Sequence, residues 1–362
     1  MTEIPSDTAD TEAFQRADFE KITQLVAAEF KIEESLLEQG TPTYYLLWPQ
    51  ETKQQFLRLL KNLEPMNLIA FLRKIDGRIV LRVVPKPPVK PSNPKTNLIL
   101  LLATVATTFI TGYIGFPDTG IHPIVSGIIF SVAILLVLGI HEMGHKITAN
   151  KKDIDATSPY LIPGPPPLGT LGAVIMQKSL PRNRDTLFDV GANGPIAGFI
   201  VALVFSAVGL LLLIPAPMPQ DAGTLGLMPA SWILLARFFT SLNLMPQAPV
   251  GGVLLLHPIT WAGWAGMVVT MLNLLPAAML DGGHVARSSL TSDKARMVLT
   301  FASVALLLLA GSEFMVMAFL IVFMSMFKHP GPLDDVSGLS RNRKLLTVAL
   351  VAVFVLAFPI RV

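Results

Sequence analysis

The stretch Ile121–Ile140 holds no Asp, Glu, Lys or Arg. As a helix it would be about 30 Å long, the thickness of a bilayer's hydrocarbon core. It runs directly into His141-Glu142-Met143-Gly144-His145, followed by Lys146, Lys151 and Lys152. Positions i and i+4 share a helix face, so His141 and His145 point the same way. Two imidazoles at that spacing grip one Zn²⁺, and the adjacent carboxylate of Glu142 is placed to act as a base. The competing reading is a polar cap on a membrane helix. It is the weaker of the two, because ionisable groups at membrane depth are expensive and usually functional.

The remaining composition agrees with a membrane setting. Of 362 residues, 52% are hydrophobic and only 15% charged, against about 25% charged in soluble domains. There is no cysteine, which excludes disulfides and thiolate ligands and leaves His, Asp and Glu for a metal. The net charge of +3 is too small to suggest nucleic acid as a partner. Met1–Phe30 is mixed and acid-rich and reads neither as a signal peptide nor as a transit peptide. A prokaryotic cell membrane is the location this start implies.

Residues 1–96 read as a small soluble α+β domain with its linker. Glu12–Gln39 has helical apolar spacing, Thr41–Trp48 reads as a strand and Glu51–Leu63 as an amphipathic helix. Asn67–Arg73 and Arg78–Val84 read as strands joined at Asp76-Gly77, a hairpin-turn signal. Pro85–Lys95 is an extended basic linker. Apolar segments follow at Asn97–Phe116, Ile121–Asn150, Phe188–Ile214, Ile259–Met279, Met297–Ala310, Phe314–Phe327 and Leu345–Ile360. Between the second and third, Ser158–Gly172 is apolar yet rich in Pro and Gly, and Thr170–Gln177 reads as a short strand. Backbone of this kind is tolerated at membrane depth only when protein buries it or it lines a cavity, so a re-entrant loop beside the histidines is expected. The basic residues from Lys86 to Lys95, Lys151, Lys152, Arg182, Arg184, Arg287, Lys294, Arg296, Lys328 and Arg341 to Lys344 fall on one side of these spans. The positive-inside rule makes that side, with the N-terminal domain, cytoplasmic.

A catalytic zinc needs three protein ligands and one open position. Asp281 is the leading third ligand: it ends an apolar segment at the same depth as the histidines, and glycines after it let backbone come close. His284 competes, three residues nearer the surface. An ordinary interfacial turn would also explain Asp-Gly-Gly.

His141-Glu142-Met143-Gly144-His145, together with Asn273-Leu274-Leu275-Pro276 leading into Leu280-Asp281-Gly282-Gly283-His284, resembles the site-2 protease family of intramembrane zinc metalloproteases. The resemblance covers about residues 97–290. It implies zinc on His141, His145 and Asp281, with Glu142 as the base and Asn273 handling substrate. Asn193-Gly194-Pro195-Ile196-Ala197-Gly198 is similar to the small-residue motif that opens the family's next core helix, which places Asn193 among the substrate-binding candidates. The family's membrane strand maps to about Gly169–Gln177, where Gly172, Ala173 and Val174 would hold an unwound peptide by strand addition. A soluble N-terminal domain in place of a PDZ domain resembles the subgroup with archaeal, cyanobacterial and chloroplast (EGY-like) members.

The expectation is therefore a polytopic α-helical membrane protein with a re-entrant β/loop element and a small soluble α+β N-terminal domain. Residues 1–96 form that domain and linker, 97–290 the metalloprotease core, and 291–362 additional C-terminal helices. Membrane-anchored proteins would be the substrates and the bilayer the medium. Two rivals remain at this level. One is a metal permease, against which stand the placement of Glu142 and the absence of an inverted repeat. The other is an inactive homologue serving as a membrane chaperone or sensor.

Overall fold

The computed structural model describes residues 7–88, 93–175, 177–218, 226–327 and 329–361. Met176, Lys328 and linker residues 89–92, to which the readings above extend, lie outside them. Contacts divide the chain into two units. One is Met1–Lys90 with Leu180–Leu187 and Gly331–Leu339; the other is Pro91–Ser179, Phe188–Pro330 and Ser340–Val362.

The first unit opens with helix α1 (Asp7–Glu29), strands β1 (Ile32–Glu38) and β2 (Thr41–Leu46), helix α2 (Lys53–Leu63), and strands β3 (Leu68–Ile75) and β4 (Arg78–Pro85). The strands form one antiparallel sheet in the order β1-β2-β4-β3. The single helix expected over Glu12–Gln39 is corrected: it stops at Glu29, and Ile32–Glu38 turns back as a strand through Gln39 and Gly40, both at positive φ. Phe30, Tyr44, Phe56, Leu59 and Leu81 form the core. The later segments complete this unit. Leu333 is buried in the same core, and Asp334, also buried, makes parallel bridges to Leu72 and Asn183.

The second unit is mainly helical. It contains α3 (Pro94–Ile114), α4 (Pro123–Lys151), the hairpin β5 (Tyr160–Pro163) and β6 (Thr170–Val174), and α5 (Arg184–Leu211, from Phe188 onward). Next come β7 (Ile214–Pro217), β8 (Leu227–Pro229), α6 (Ala230–Ser241), β9 (Gly252–Leu255) and α7 (Pro258–Leu274). The chain ends with α8 (Asp281–Ser289), α9 (Asp293–Ala310), α10 (Met315–Ser325), α11 (Arg341–Ala357) and β10 (Pro359–Arg361). Two further small sheets pair β7 with β9 and β8 with β10. Among the described residues, α3, α4 and α5 are long and apolar enough to cross a membrane by length and composition.

Helix α4 explains how these segments pack. One face carries Phe130, Ile134, Val137 and Leu138, buried against α5 and α7 residues such as Phe199, Ala202, Ala265, Met267 and Met271. Another carries Ile124, Ile128, Val132, Leu136 and Ile140, all exposed. Water would penalise such an outer stripe, whereas lipid accommodates it. The Pro/Gly stretch folds as the β5–β6 hairpin, and several of its backbone groups find partners within the loop and beyond it. The Gly169 N–H donates to the Pro165 carbonyl, and the Gly164 N–H to that of Gly169. From outside the loop, Thr107 Oγ1 donates to the Gly169 carbonyl at 2.6 Å and Trp261 Nε1 to that of Pro167 at 3.1 Å.

Candidate metal centre

His141 and His145 lie one turn apart on the buried side of α4, each less than a tenth exposed. Their Nε2 atoms are 3.1 Å apart. Asp281 Oδ2 lies 3.2 Å from each of them. Three ligands about 2.0–2.2 Å from one tetrahedral ion stand about 3.3 Å from one another, so these three atoms already have the separation a shared ion requires. They are also the only described group of three or more His, Asp or Glu residues able to converge on one ion. The donor set, two imidazoles and a carboxylate, fits zinc.

Surrounding groups fix the imidazoles. His145 Nδ1 donates to the Val190 carbonyl of α5 at 2.7 Å, which leaves Nε2 unprotonated and turned toward Asp281. α5 also runs unusually close to both rings. A Cβ on Gly194 would overlap the His145 ring, and one on Gly198 would lie 2.8 Å from His141 Nδ1. The two glycines share the i, i+4 spacing of the two histidines, so only hydrogen stands between the α5 backbone and each imidazole.

The other carboxylate and amide candidates flank this group. Glu142 Oε1 lies 4.0 Å from His141 Nε2 and is buried. Asn273, from the last turn of α7, brings its Nδ2 to 3.3 Å from His141 Nε2. Asn193 lies one turn from Val190 on α5, and its amide donates to Thr148 Oγ1 at 2.8 Å. Gly172, Ala173 and Val174 lie on β6, where they pair with Ile162, Leu161 and Tyr160 of β5. The sheet has only these two strands, so the other edge of β6 is open among the described residues. Gly172 has φ +101°, a kink that only glycine adopts without strain.

Asp281 differs from its expected setting. The helix does not run from Ile259 to Met279 and end in Asp281. α7 stops at Leu274, residues 275–280 form turns with Ala278 at positive φ, and Asp281 begins a new helix. Pro276, which lacks an N–H, accounts for the break. His284 finds another partner, His329 Nε2, at 2.8 Å from its Nδ1. Two contacts escaped the sequence reading, the Val190 carbonyl and His329. A main-chain acceptor leaves no side-chain signal, and His329 is isolated from both motifs.

A mostly helical chain that gathers a His–His–Asp cluster beside a glutamate, with the histidines and the glutamate on a helix able to cross a membrane, has the makings of a membrane-embedded zinc hydrolase. Comparison agrees with that class: the profile of peptidase family M50 matches residues 129–310, half of the chain, and the chain belongs to that family. It is 34% identical over 201 residues to a protein named "Probable zinc metalloprotease EGY2, chloroplastic" from Arabidopsis thaliana, covering 55% of this chain and 34% of that one. It is 32% identical over 163 residues to "Probable zinc metalloprotease EGY1, chloroplastic" from Oryza sativa subsp. japonica, covering 44% and 28% respectively. The chain thus spans about a third of the length of these relatives. Their chloroplast location overturns the expectation of a prokaryotic cell membrane. The acid-rich first residues had suggested that location through the lack of a leader, but a chain matching only part of its relatives carries no such information at its start.

Proposed function

We propose that the chain is an intramembrane zinc metalloprotease that hydrolyses peptide bonds within or near transmembrane segments of membrane-anchored proteins, as in regulated intramembrane proteolysis. The observation that carries this reading is the convergence of His141, His145 and Asp281 at 3.1–3.2 Å with Glu142 beside them. Residues 97–290 form the proteolytic core, residues 1–96 a soluble domain with its linker, and residues 291–362 added helices. On this reading α3, α4 and α5 span the bilayer, joined by the shorter apolar helices α7, α9, α10 and α11.

His141, His145 and Asp281 would hold the zinc, which when bound would supply Lewis acidity toward a water molecule and the scissile carbonyl. Glu142 accepts the proton of the attacking water at its carboxylate and returns it to the departing amide nitrogen. Val190 keeps His145 in the tautomer that leaves Nε2 available. Asn273 presents an N–H donor at the rim of the ligand group, suited to holding a substrate carbonyl. A transmembrane helix hides its amides in its own hydrogen bonds, so the substrate must unwind before cleavage. The open edge of β6 offers main-chain partners to such an unwound peptide.

Cleavage of a single-span reporter protein in proteoliposomes tests the assignment. Glu142→Gln should retain zinc at the parent stoichiometry and lose cleavage by about 100-fold or more, the usual contribution of a general base. Undiminished cleavage, or zinc lost from a folded variant, would refute the role of Glu142. A permease reading predicts instead metal flux across the vesicle wall that Glu142→Gln leaves unchanged.

A further inference from the structure

We propose that His329 is a positioning residue for the Asp281 ligand, acting through its contact with His284; the inference rests on the metal-centre reading above. Asp281 is the first residue of α8, a helix of nine residues, about 14 Å long. Its N-cap, Leu280, supplies no side-chain hydrogen bond, so packing positions the start of the helix. Gly282 and Gly283 press on the Leu274 and Ala278 carbonyls just before it, and two further contacts come from distant segments.

The first is with α5, where a Cβ on Gly191 would lie 2.8 Å from both the Asp281 carbonyl oxygen and His284 Cβ. The second is the histidine pair. His284 follows Asp281 by three residues and therefore projects from the same side of α8. Its Nδ1 lies 2.8 Å from His329 Nε2, and the rings meet edge to face with centroids 5.0 Å apart. One nitrogen donates and the other accepts.

His329 lies 45 residues beyond His284, in the segment after α10. The bond therefore ties α8 to a distant part of the second unit, through the same residue whose Cβ faces α5. Metal–ligand distances keep to within about 0.2 Å of their usual values, so a nine-residue helix that carries a ligand is positioned more closely by a tether to a distant segment than by its neighbours in the chain alone.

The test uses the full chain in detergent micelles, with cobalt(II) and zinc as the metals added. Affinity is read by competition with a chelator, and ligand geometry from the visible cobalt bands. His329→Ala should weaken metal binding about 10- to 100-fold, the usual cost of losing a group that orients a ligand, and shift the cobalt bands. His329→Gln carries an amide nitrogen near the former Nε2 position and should recover most of the affinity. His284→Ala should match His329→Ala, and the double variant should be no worse than either single one. Parent affinity and an unchanged spectrum in His329→Ala would overturn the inference, as would additive losses or equal losses in the Ala and Gln variants. A parent chain whose metal binding does not depend on His141 would refute the metal centre itself, which separates the two failures.

Discussion

At the scale of single residues, the metal centre depends as much on what α5 lacks as on what α4 carries. Gly194 and Gly198 leave room for two imidazoles that a methyl group at either position would displace. Gly194→Ala should therefore lower zinc affinity by on the order of ten-fold or more, comparable to the loss of an orienting partner. The change leaves every ligand in place, so chelator competition compared with Asp281→Ala separates displacement from outright ligand loss. Equal affinity in Gly194→Ala and the parent would show that the ring has other room to occupy. The i, i+4 histidines, the adjacent glutamate and the distant aspartate were legible in the sequence because their chemistry is carried by side chains at fixed spacing. The Val190 carbonyl was not, because any residue offers one. The glycines were legible only as a small-residue motif: the sequence shows that they are small, not which rings they face.

At the scale of elements, the apolar runs were the easiest to read and their ends the hardest. The four apolar segments from Asn97 to Met279 correspond to α3, α4, α5 and α7, because twenty uncharged residues allow little else. The merging of α1 with β1 shows the limit. Ile32-Glu33-Glu34-Ser35-Leu36-Leu37-Glu38 does not alternate cleanly, and only its pairing with β2 makes it a strand, a contact no local window contains. The β5–β6 hairpin was readable as irregular apolar backbone, while the kink at Gly172 was not. That kink yields a prediction about the edge strand. Nothing lies within 4 Å of a Cβ built at Gly172, so Gly172→Ala acts through backbone strain alone, about 1–3 kcal/mol for a residue forced into such a conformation. If β6 receives substrate, cleavage should fall while zinc content and cobalt bands stay as in the parent. A matching loss of metal would instead place the strain at the ligands, and unchanged cleavage would remove β6 from substrate binding.

At the scale of the whole molecule, charge and packing describe the basic end of the helices in the second unit. Asp189, next to Val190, takes Lys152 at 3.0 Å and accepts from Nε and Nη2 of Arg343, each at 2.6 Å. This joins the ends of α4, α5 and α11 at the end where α4 carries its histidines. Val250, fully exposed in the turn before β9, belongs to the opposite end if α5 and α7 cross the bilayer. Because the chain has no cysteine, single cysteines report sidedness cleanly. Lys151→Cys and Val250→Cys in sealed proteoliposomes of uniform orientation should react with an impermeant maleimide from opposite sides. Each should become reactive to the other side's reagent only after detergent is added. Within the first unit, Lys61 and Gly338 share one folded body with a common core, so Lys61→Cys and Gly338→Cys should always label from the same side. If Lys151 and Val250 label together, α5 and α7 do not cross. The metal centre would then lie in a helical bundle on the membrane surface, and the requirement that substrates unwind within the bilayer would fall with it.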